Sequence, residues 1–199
     1  MNYNNYLTNH FVESLKIKSI FINNKSNIQN FSQSVDVIVK AYQKSSKTFW
    51  FGNGGSAGDA QHIVGELICK LNRIRPPLSA ESLSVDTSVL TSIANDFGYD
   101  SIFSRQLEAK AKSTDIAIGI STSGNSSNII KAFKYCKKNN IKTILLGGNN
   151  GGQAAQIADI SLIIDSERTE YIQECHIMIG HCICYCVEQE LFFNGFNDE

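Results

Sequence analysis

The stretch that decides the fold is Asp115-Ile116-Ala117-Ile118-Gly119-Ile120, followed directly by Ser121-Thr122-Ser123-Gly124-Asn125-Ser126. The first six residues form an apolar run that is typical of a buried parallel strand. After the polar residues, the apolar spacing of residues 128–134 predicts a helix. A strand, a polar turn and a helix in succession indicate a βαβ unit.

The polar turn in this unit has the chemistry of a phosphate site. Where a strand ends and a helix begins, hydroxyl oxygens and free backbone N–H groups lie together, and the helix dipole adds about half a positive charge. The alternative is an ordinary capped helix start, since Ser, Thr and Asn are common caps. The turn carries four hydroxyls and neither Lys nor Arg. These hydroxyls favour phosphate as the ligand.

The same alternation of strands and helices continues on both sides of this unit. Residues 6–45 show helical apolar spacing and predict two helices broken near residues 23–26. Strands are predicted at residues 48–52, 80–85, 115–120, 143–147 and 160–164. Helices are predicted near residues 55–71, 87–95, 101–112, 128–139, 153–157 and 169–192. This order predicts an α/β protein with a parallel sheet, as a single domain over residues 1–199 with residues 46–199 as its core.

Composition excludes several classes of function. Charged residues make up 19% of the chain and the net charge is −1, which gives no electrostatic basis for binding nucleic acid or an anionic membrane. No apolar run is long enough to span a bilayer, and the N-terminus lacks a signal-peptide pattern, so we expect a cytoplasmic protein.

The chain contains six cysteines, at positions 69, 136, 175, 182, 184 and 186. The run Cys182-x-Cys184-x-Cys186 resembles a metal-binding cysteine motif, but it lies in an apolar stretch that is predicted to be helical, where only Cys182 and Cys186 share a face. Buried free thiols in a reducing compartment are therefore the preferred interpretation of the cysteines.

A second polar turn, Gly52-Asn53-Gly54-Gly55-Ser56, follows the first predicted strand and opens a helix. The glycines allow a close approach of backbone to ligand, and Asn53 and Ser56 supply polar contacts. The spacing does not match G-x-G-x-x-G, and the next strand lacks the expected acidic residue, so we expect no nucleotide cofactor. Ligands of parallel sheets bind beyond the carboxyl ends of the strands, and both turns are predicted at that edge.

Two predicted helices carry candidate metal ligands. His62 and Glu66 are four residues apart and share one face of the helix after the glycine turn, either as a site or as an exposed stripe. On the last helix, Gln173 and His181 are eight residues apart and can lean toward one cleft, whereas His176 should point elsewhere in a surface or capping role. These four donors suit zinc, but their spacing does not bring the two helices together.

Several motifs together resemble the phosphoheptose (sedoheptulose 7-phosphate) isomerases of the sugar isomerase (SIS) domain superfamily. Besides the two polar turns, the resemblance rests on Asn95-Asp96-Phe97-Gly98, Phe103-Ser104-Arg105 and Ile172-Gln173-Glu174-x-His176. Taken alone, Asn-Asp before Gly is usually a helix stop. The motifs follow in the family's order and at its separations over nearly the whole chain.

The resemblance implies a three-layer αβα sandwich with a five-stranded, flavodoxin-like parallel sheet. It implies that the N-terminal helices, residues 1–45, pack in a homotetramer with active sites shared between subunits. The implied reaction converts sedoheptulose 7-phosphate to D-glycero-D-manno-heptose 7-phosphate through an enediol, as the first step toward the heptoses of lipopolysaccharide or capsule. One zinc ion per subunit and no redox cofactor are expected.

The resemblance also assigns roles to residues. The positions expected to bind the phosphate are Ser121, Thr122, Ser123 and Ser126. Those expected to contact the rest of the substrate are Asn53, Gly54, Gly55, Ser56, Glu66, Asn95, Asp96 and Gln173. The zinc ligands would be His62, Glu66, Gln173 and His181, with Glu66 and His181 as the catalytic pair.

Two positions depart from the family pattern. Lys70 stands where relatives commonly have Arg; lysine keeps the charge but lacks the planar fork of arginine. Glu81 stands where relatives usually carry an apolar residue.

Rival interpretations of the function are an SIS module that senses a sugar phosphate, or an adaptor that binds a replication-initiation protein. An arabinose 5-phosphate isomerase would typically carry a C-terminal regulatory extension.

Overall fold

The structure, a computed structural model, describes residues 2–193. Its strands are β1 Thr48–Gly52, β2 Ala80–Ser82, β3 Ile116–Ser121, β4 Lys142–Gly148 and β5 Ile160–Ile164. Its helices are α1 Tyr3–Asn23, α2 Lys25–Gln43, α3 Gly55–Ile68, α4 Thr87–Phe97, α5 Ser104–Lys110, α6 Ser127–Lys138, α7 Gly152–Ile157 and α8 Thr169–Phe192, with a short 3-10 turn at Tyr99–Ser101. The predicted alternation of strands and helices is confirmed.

The five strands form one parallel sheet in the order β2-β1-β3-β4-β5, which is the flavodoxin-like order. In the register of β1 and β3, Trp50 lies opposite Ile118. The strand order reverses between β1 and β3, so the chain leaves these neighbours in opposite directions and a crevice opens beyond their carboxyl ends. The two polar turns predicted from sequence begin at this crevice.

Both faces of the sheet are buried, which makes the fold a three-layer αβα sandwich. Every residue of β1 is buried, and successive side chains point to opposite faces. Trp50 belongs to the hydrophobic cluster that includes residues of α2, α3 and α8, whereas Phe49 and Phe51 belong to the cluster formed with α5 and α6.

The N-terminal helices break at Asn24, as predicted. The side chain of Asn24 accepts hydrogen bonds from the backbone N–H groups of Ser26 (3.0 Å) and Asn27 (3.3 Å), which makes it the N-cap of α2. The amide of Asn27 then donates to the carbonyl oxygen of Ile163 on the edge strand β5, at 3.0 Å. Helix α2 therefore covers an edge that would otherwise be open to pairing.

Two predicted elements are shorter than expected. Strand β2 ends at Ser82, because the chain turns toward Asp86, whose carboxylate caps α4 by accepting from Val89 N at 3.0 Å. The helix predicted over 101–112 is α5 alone, and Ala111 after it is extended. Local turns and caps end both elements.

Glu81 has a structural role that the sequence did not indicate. Its carboxylate lies 3.0 Å from Lys47 Nζ and 2.7 Å from Lys110 Nζ. Burial raises the pKa of Glu81, but hydrogen bonds from the two lysines outweigh this and hold the pKa below its usual value. The acid on β2 thereby connects Lys47, just before β1, to Lys110 at the end of α5, and an apolar residue there would remove both ion pairs.

The prediction of buried thiols holds for three cysteines and is wrong for the others. Cys136, Cys175 and Cys184 are buried, and burial raises the pKa of Cys184 to about 12. Cys69 and Cys182 are exposed, and Cys186 is half-buried. Cys184 points into the core, and Cys186 packs against the margin of the same core.

Within residues 2–193, no helix combines the length and the apolar character needed to cross a membrane.

Candidate functional site

The predicted phosphate turn is a compact loop between β3 and α6. Ser121 Oγ lies 3.2 Å from Ser126 Oγ and accepts a hydrogen bond from Gly124 N at 3.1 Å. Ser123 Oγ accepts from Asn125 N at 3.2 Å. The N–H groups of Gly124 and Asn125 thus donate to hydroxyls of the same loop, just before the positive end of α6, where an anion is stabilised. Thr122 is half-buried in the same loop.

Gly124 fixes the shape of the loop against the start of α7. Its φ angle is +62°, and a Cβ atom at this position would lie 1.9 Å from the carbonyl oxygen of Gly151. The carbonyl oxygen of Gly124 accepts from Ala154 N at 2.9 Å, and Asn125 Oδ1 accepts from Gln153 N at 3.1 Å. Glycine is required here for both its backbone conformation and its lack of a side chain.

The glycine turn after β1 is tied to the phosphate loop by a pair of side-chain amides. Asn53 Nδ2 donates to Asn128 Oδ1 at 3.0 Å, and Asn128 Nδ2 donates to Asn53 Oδ1 at 2.9 Å. Tyr99 Oη also donates to Asn53 Oδ1, at 3.0 Å. Asn53, a predicted substrate contact, is thereby oriented by two residues that the sequence analysis did not select.

The other residues of the glycine turn shape the start of α3. Gly54 has a φ angle of +56°, and Ser56 is buried with its N–H donating to the carbonyl oxygen of Asn53 at 3.1 Å. A Cβ atom on Gly55 would lie 2.4 Å from Nε2 of Gln173. The glycine therefore allows the amide of Gln173, on α8, to pack against the first turn of α3.

A cluster of three titratable side chains joins α3 and α8. His62 Nε2 lies 2.9 Å from His181 Nε2 and 3.4 Å from Glu66 Oε1. One ligand atom from each residue can be chosen so that all three lie within 4.8 Å of one another. The contact between the two imidazoles requires a proton on one nitrogen and a lone pair on the other. The fold supplies what the spacing could not, since it places the two helices side by side.

Close packing of the helices explains this juxtaposition. A Cβ atom on Gly180 would lie 2.6 Å from Cδ1 of Ile63, so the backbone of α8 contacts the side-chain layer of α3 next to the cluster. Two imidazole nitrogens and a carboxylate oxygen are ligands that zinc accepts, and a fourth position would remain open. The donor set therefore fits the predicted metal.

Gln173 lies at a different level of the two helices from this cluster. Its amide is beside Gly55, and His62 is seven residues further along α3, about 10 Å along the helix axis. Its assignment as a fourth zinc ligand stays a prediction, and its observed neighbour is the glycine turn.

Asn95 and Asp96 lie in the last turn of α4, and both are exposed. Asn95 Nδ2 donates to Asp96 Oδ1 at 2.8 Å. Within residues 2–193, no hydrogen bond links this pair to the two loops or to the cluster. Their contact with the sugar stays a prediction. Lys70, aligned with the family arginine, is exposed after the end of α3.

The expectation for His176 is wrong. The side chain is buried rather than at the surface, and its Nε2 lies 3.0 Å from the carbonyl oxygen of Gly147 at the end of β4. Burial lowers the pKa of His176 to about 4, although the hydrogen bond to Gly147 acts in the opposite direction. His176 is therefore neutral at pH 7 and anchors α8 to the sheet.

Comparison with known proteins places these features in one family. The SIS domain family matches residues 14–148. "Phosphoheptose isomerase 2" of Campylobacter jejuni is 43% identical over 196 residues, which cover 98% of this chain and 98% of the relative. The phosphoheptose isomerase of Sulfurimonas denitrificans is 46% identical over 192 residues, covering 96% of this chain and 98% of the relative.

Solved structures show the same similarity. A phosphoheptose isomerase from Neisseria gonorrhoeae superposes with a TM-score of 0.88 at 35% identity, covering 94% of this chain and all of that chain (100%). A phosphoheptose isomerase from Francisella tularensis superposes with a TM-score of 0.90 at 31% identity, covering 95% of this chain and 100% of that chain.

Proposed function

This chain belongs to the phosphoheptose isomerases of the SIS domain family, and from that membership we propose that it converts sedoheptulose 7-phosphate to D-glycero-D-manno-heptose 7-phosphate. The reaction is an aldose–ketose isomerisation that yields a heptose precursor. Lipopolysaccharide and capsule are both open as destinations of that heptose, and the cytoplasm is the proposed location.

One observation carries the proposal beyond family membership. The chain places a phosphate-type loop after β3 and an acid–base cluster on α3 and α8, with the glycine turn between them. His62 lies about 10 Å along α3 from Gly55. In the proposed arrangement, the loop after β3 holds the phosphate while the carbonyl end of the sugar reaches the cluster.

The chemistry needs one base near carbon and one acid near oxygen. A base removes a proton from C1 of the ketose while an acid protonates the oxygen on C2, which gives the cis-enediol. Return of the proton to C2 and loss of the proton from the oxygen on C1 give the aldose. Because the hydrogen moves within one molecule, the steps balance without an external oxidant or reductant.

Glu66 and His181 are the proposed catalytic pair. The carboxylate of Glu66 is the base that moves the proton between the two carbons, and its side chain is 24% exposed, so a substrate can reach it. His181 is the group that exchanges protons with the oxygens on C1 and C2, and its contact with His62 at 2.9 Å orients its ring. The reverse division of labour uses the same atoms and is open.

Zinc is the proposed cofactor, one ion per subunit, held by His62, Glu66 and His181 with Gln173 as the predicted fourth ligand. When bound there, zinc would polarise the carbonyl and stabilise negative charge on the adjacent oxygens. A histidine nitrogen that binds zinc has no lone pair left for proton transfer, and a zinc-bound carboxylate is a weaker base, so the metal and the acid–base roles compete within this cluster.

Remote binding would orient the sugar for this chemistry. The proposed phosphate contacts are Ser121, Thr122, Ser123 and Ser126, together with the N–H groups of their loop. The proposed contacts to the rest of the substrate are Asn53, Gly54, Gly55, Ser56, Asn95, Asp96 and Gln173. Binding energy from groups that do not react holds the reacting carbons in place.

A homotetramer through the N-terminal helices is the proposed assembly of this single domain. Tyr3, Leu7 and Phe11 recur every four residues on α1 and are 77%, 58% and 61% exposed. An apolar stripe of this kind is typical of an interface. The side chain of His62 is 50% exposed, so a neighbouring subunit is also needed to shield the cluster from water.

A coupled assay with sedoheptulose 7-phosphate tests the function, before and after chelation and after zinc is restored. Turnover lost on chelation and recovered with zinc supports both the isomerase and its metal site. Turnover that is unchanged by chelation would mean that Glu66 and His181 act as acid and base without a metal. Sugar phosphate binding without turnover under any metal would favour the sensor or adaptor and reject the isomerase.

A further inference from the structure

A buried ion pair connects the loop after α3 to α8. Arg75 Nε donates to Glu188 Oε1 at 2.9 Å, and the two side chains are 1% and 0% exposed. Neither residue belongs to the proposed catalytic cluster. Desolvating two charges is costly, and a buried ion pair often stabilises a fold no more than apolar residues of the same volume would. The pair therefore calls for an explanation other than stability.

The remaining donors of Arg75 bind the end of the helix that carries His62 and Glu66. One terminal nitrogen of Arg75 donates to the backbone carbonyl oxygen of Glu66 at 2.7 Å, and the other donates to that of Leu67 at 2.6 Å. Both carbonyls lie in the last turn of α3, where helix carbonyls lack partners within the helix. The guanidinium thus satisfies these groups, and its charge complements the negative end of the helix.

Glu188 carries the connection to the helix of His181. It lies seven residues after His181 on α8, about 10 Å along the axis. Its Oε1 also accepts a hydrogen bond from the backbone N–H of Leu71, at 2.9 Å. The backbone of Glu66 is therefore linked to the helix of His181 through two side chains.

This link and a second contact hold the two helices at different levels. At the level of the cluster, Gly180 lets α8 approach Ile63 of α3 closely. Beyond the cluster, Arg75 holds the end of α3 against Glu188. Two contacts separated along a pair of helices prevent both sliding and splaying. A single contact would allow the helices to pivot.

The unpaired oxygen of Glu188 adds a second argument. Oε2 of Glu188 is buried and has no hydrogen-bond partner among residues 2–193. An unsatisfied charged oxygen in the interior destabilises the protein. Stability alone therefore does not explain a glutamate at this position, whereas a role in holding two helices in register does.

We propose that Arg75 and Glu188 are positioning residues for the isomerisation. They set the register of α3 against α8, and thereby the distance from His62 and Glu66 to His181. The inference rests on the proposed function for its catalytic meaning, while the effect on geometry can be measured without turnover.

The test uses Arg75→Lys, which keeps the charge but loses the fork, and Glu188→Gln, which keeps the shape but loses the charge. Glu81→Gln is the matched control, because Glu81 also pairs with cations but lies on β2 and contacts α5, and so belongs to neither α3 nor α8. For each full-length protein, the melting temperature, kcat and KM for sedoheptulose 7-phosphate are measured. Zinc affinity is measured on metal-stripped protein by competition with a chromogenic chelator.

We expect zinc affinity and kcat to fall about 10- to 100-fold in both test variants, the range seen when groups that orient metal ligands are removed. KM should stay within about twofold, because the loop after β3 that binds the phosphate is not touched. Glu81→Gln should lower the melting temperature without changing zinc affinity or kcat.

Lower melting temperatures with unchanged zinc affinity and kcat in the test variants would reject the proposal and leave a purely structural ion pair. Glu188→Asp, which retains the charge on a shorter side chain, is the reserve variant if the other two do not fold. Failure of all three to fold would likewise reject a specific positioning role. Absence of turnover in the unaltered protein would count against the proposed function alone, since the zinc affinities would still report the register of the helices.

Discussion

The loops beyond β1 and β3 and the cluster between α3 and α8 are built in different ways. In the loops, the polar groups are largely backbone N–H groups and small hydroxyls, and Gly124 is held so tightly that no side chain would fit. In the cluster, the polar groups are the ends of long side chains, and that of His62 is half exposed. The loops are shaped by the sheet, whereas the cluster depends on how two helices pack.

This difference suggests a division between affinity and chemistry. A change in the loop after β3 alters the proposed phosphate contacts, so it should weaken binding. A cluster built from titratable side chains supplies proton transfer, so damage to it should slow turnover. Variants in the two regions should therefore separate KM from kcat.

The largest effect is expected from Glu66→Gln. This change removes the proposed base, and general-base catalysis contributes about 10²- to 10⁴-fold, so kcat should fall roughly 10³-fold. Binding of the sugar phosphate, measured by calorimetry, should change less than about twofold. Glu108→Gln, on α5, is the charge-matched control. Unchanged turnover in Glu66→Gln would remove Glu66 from the mechanism.

Gly124→Ala should mainly raise KM, by roughly 10- to 100-fold. The new Cβ would collide with the carbonyl oxygen of Gly151, and the positive φ angle would strain the residue by about 1–3 kcal/mol. Steady-state kinetics over a wide range of substrate concentration measure the change. Gly58→Ala is the matched control, because a Cβ at this helical position meets open space. Equal effects of the two changes would show that the loop does not determine binding.

Removing the hydroxyls of Ser121 and Ser123 together, with both residues changed to Ala, should raise KM about tenfold. The effect is smaller than for Gly124→Ala because the N–H groups and the helix dipole remain to bind the phosphate. Kinetics and inorganic phosphate inhibition can be compared in the same preparation. A loss confined to kcat would contradict the phosphate role, and it would mean that the loop and the cluster do not differ in what they contribute.

The smallest effect on function is expected at His176, which belongs to neither region. Its pKa falls from 6.5 to about 4 on folding, so the native state holds the neutral ring while the unfolded chain takes up a proton. The stabilising contribution is complete above about pH 6.5 and is lost as the pH falls toward 4, by about 1–3 kcal/mol. Urea unfolding at pH 7 and pH 5 should show this loss in the unaltered protein and a smaller loss in His176→Asn. Identical pH dependence of the two proteins would refute the assignment.

The expected fold followed from local patterns in the sequence. Apolar runs such as residues 116–120 are buried on both faces in any parallel sheet, so composition and length suffice to identify them. The break at Asn24 was also predictable, because an N-cap acts on the residues directly after it. The premature end of β2 was not, since it depends on where α4 begins.

The site residues also divide into those that local sequence reveals and those that depend on distant contacts. Four hydroxyls in one short turn can be recognised without a structure, and so can His62 and Glu66 as neighbours on a helix. The burial of His176 could not be predicted, because the same helical spacing would serve a surface position equally well. Asn128 lacked any signal, since its partner Asn53 is 75 residues away.

The sequence by itself determined the kinds of structure and the kinds of chemistry: a parallel α/β sheet, two polar turns at one edge and two helices with potential ligands. These follow from interactions between residues close in the chain. Tertiary structure alone decided that His62 meets His181, that Gln173 packs on Gly55 and that Arg75 reaches both Glu66 and Glu188. Those contacts join residues far apart in the chain, and their geometry depends on how α3 and α8 pack against each other and against the sheet.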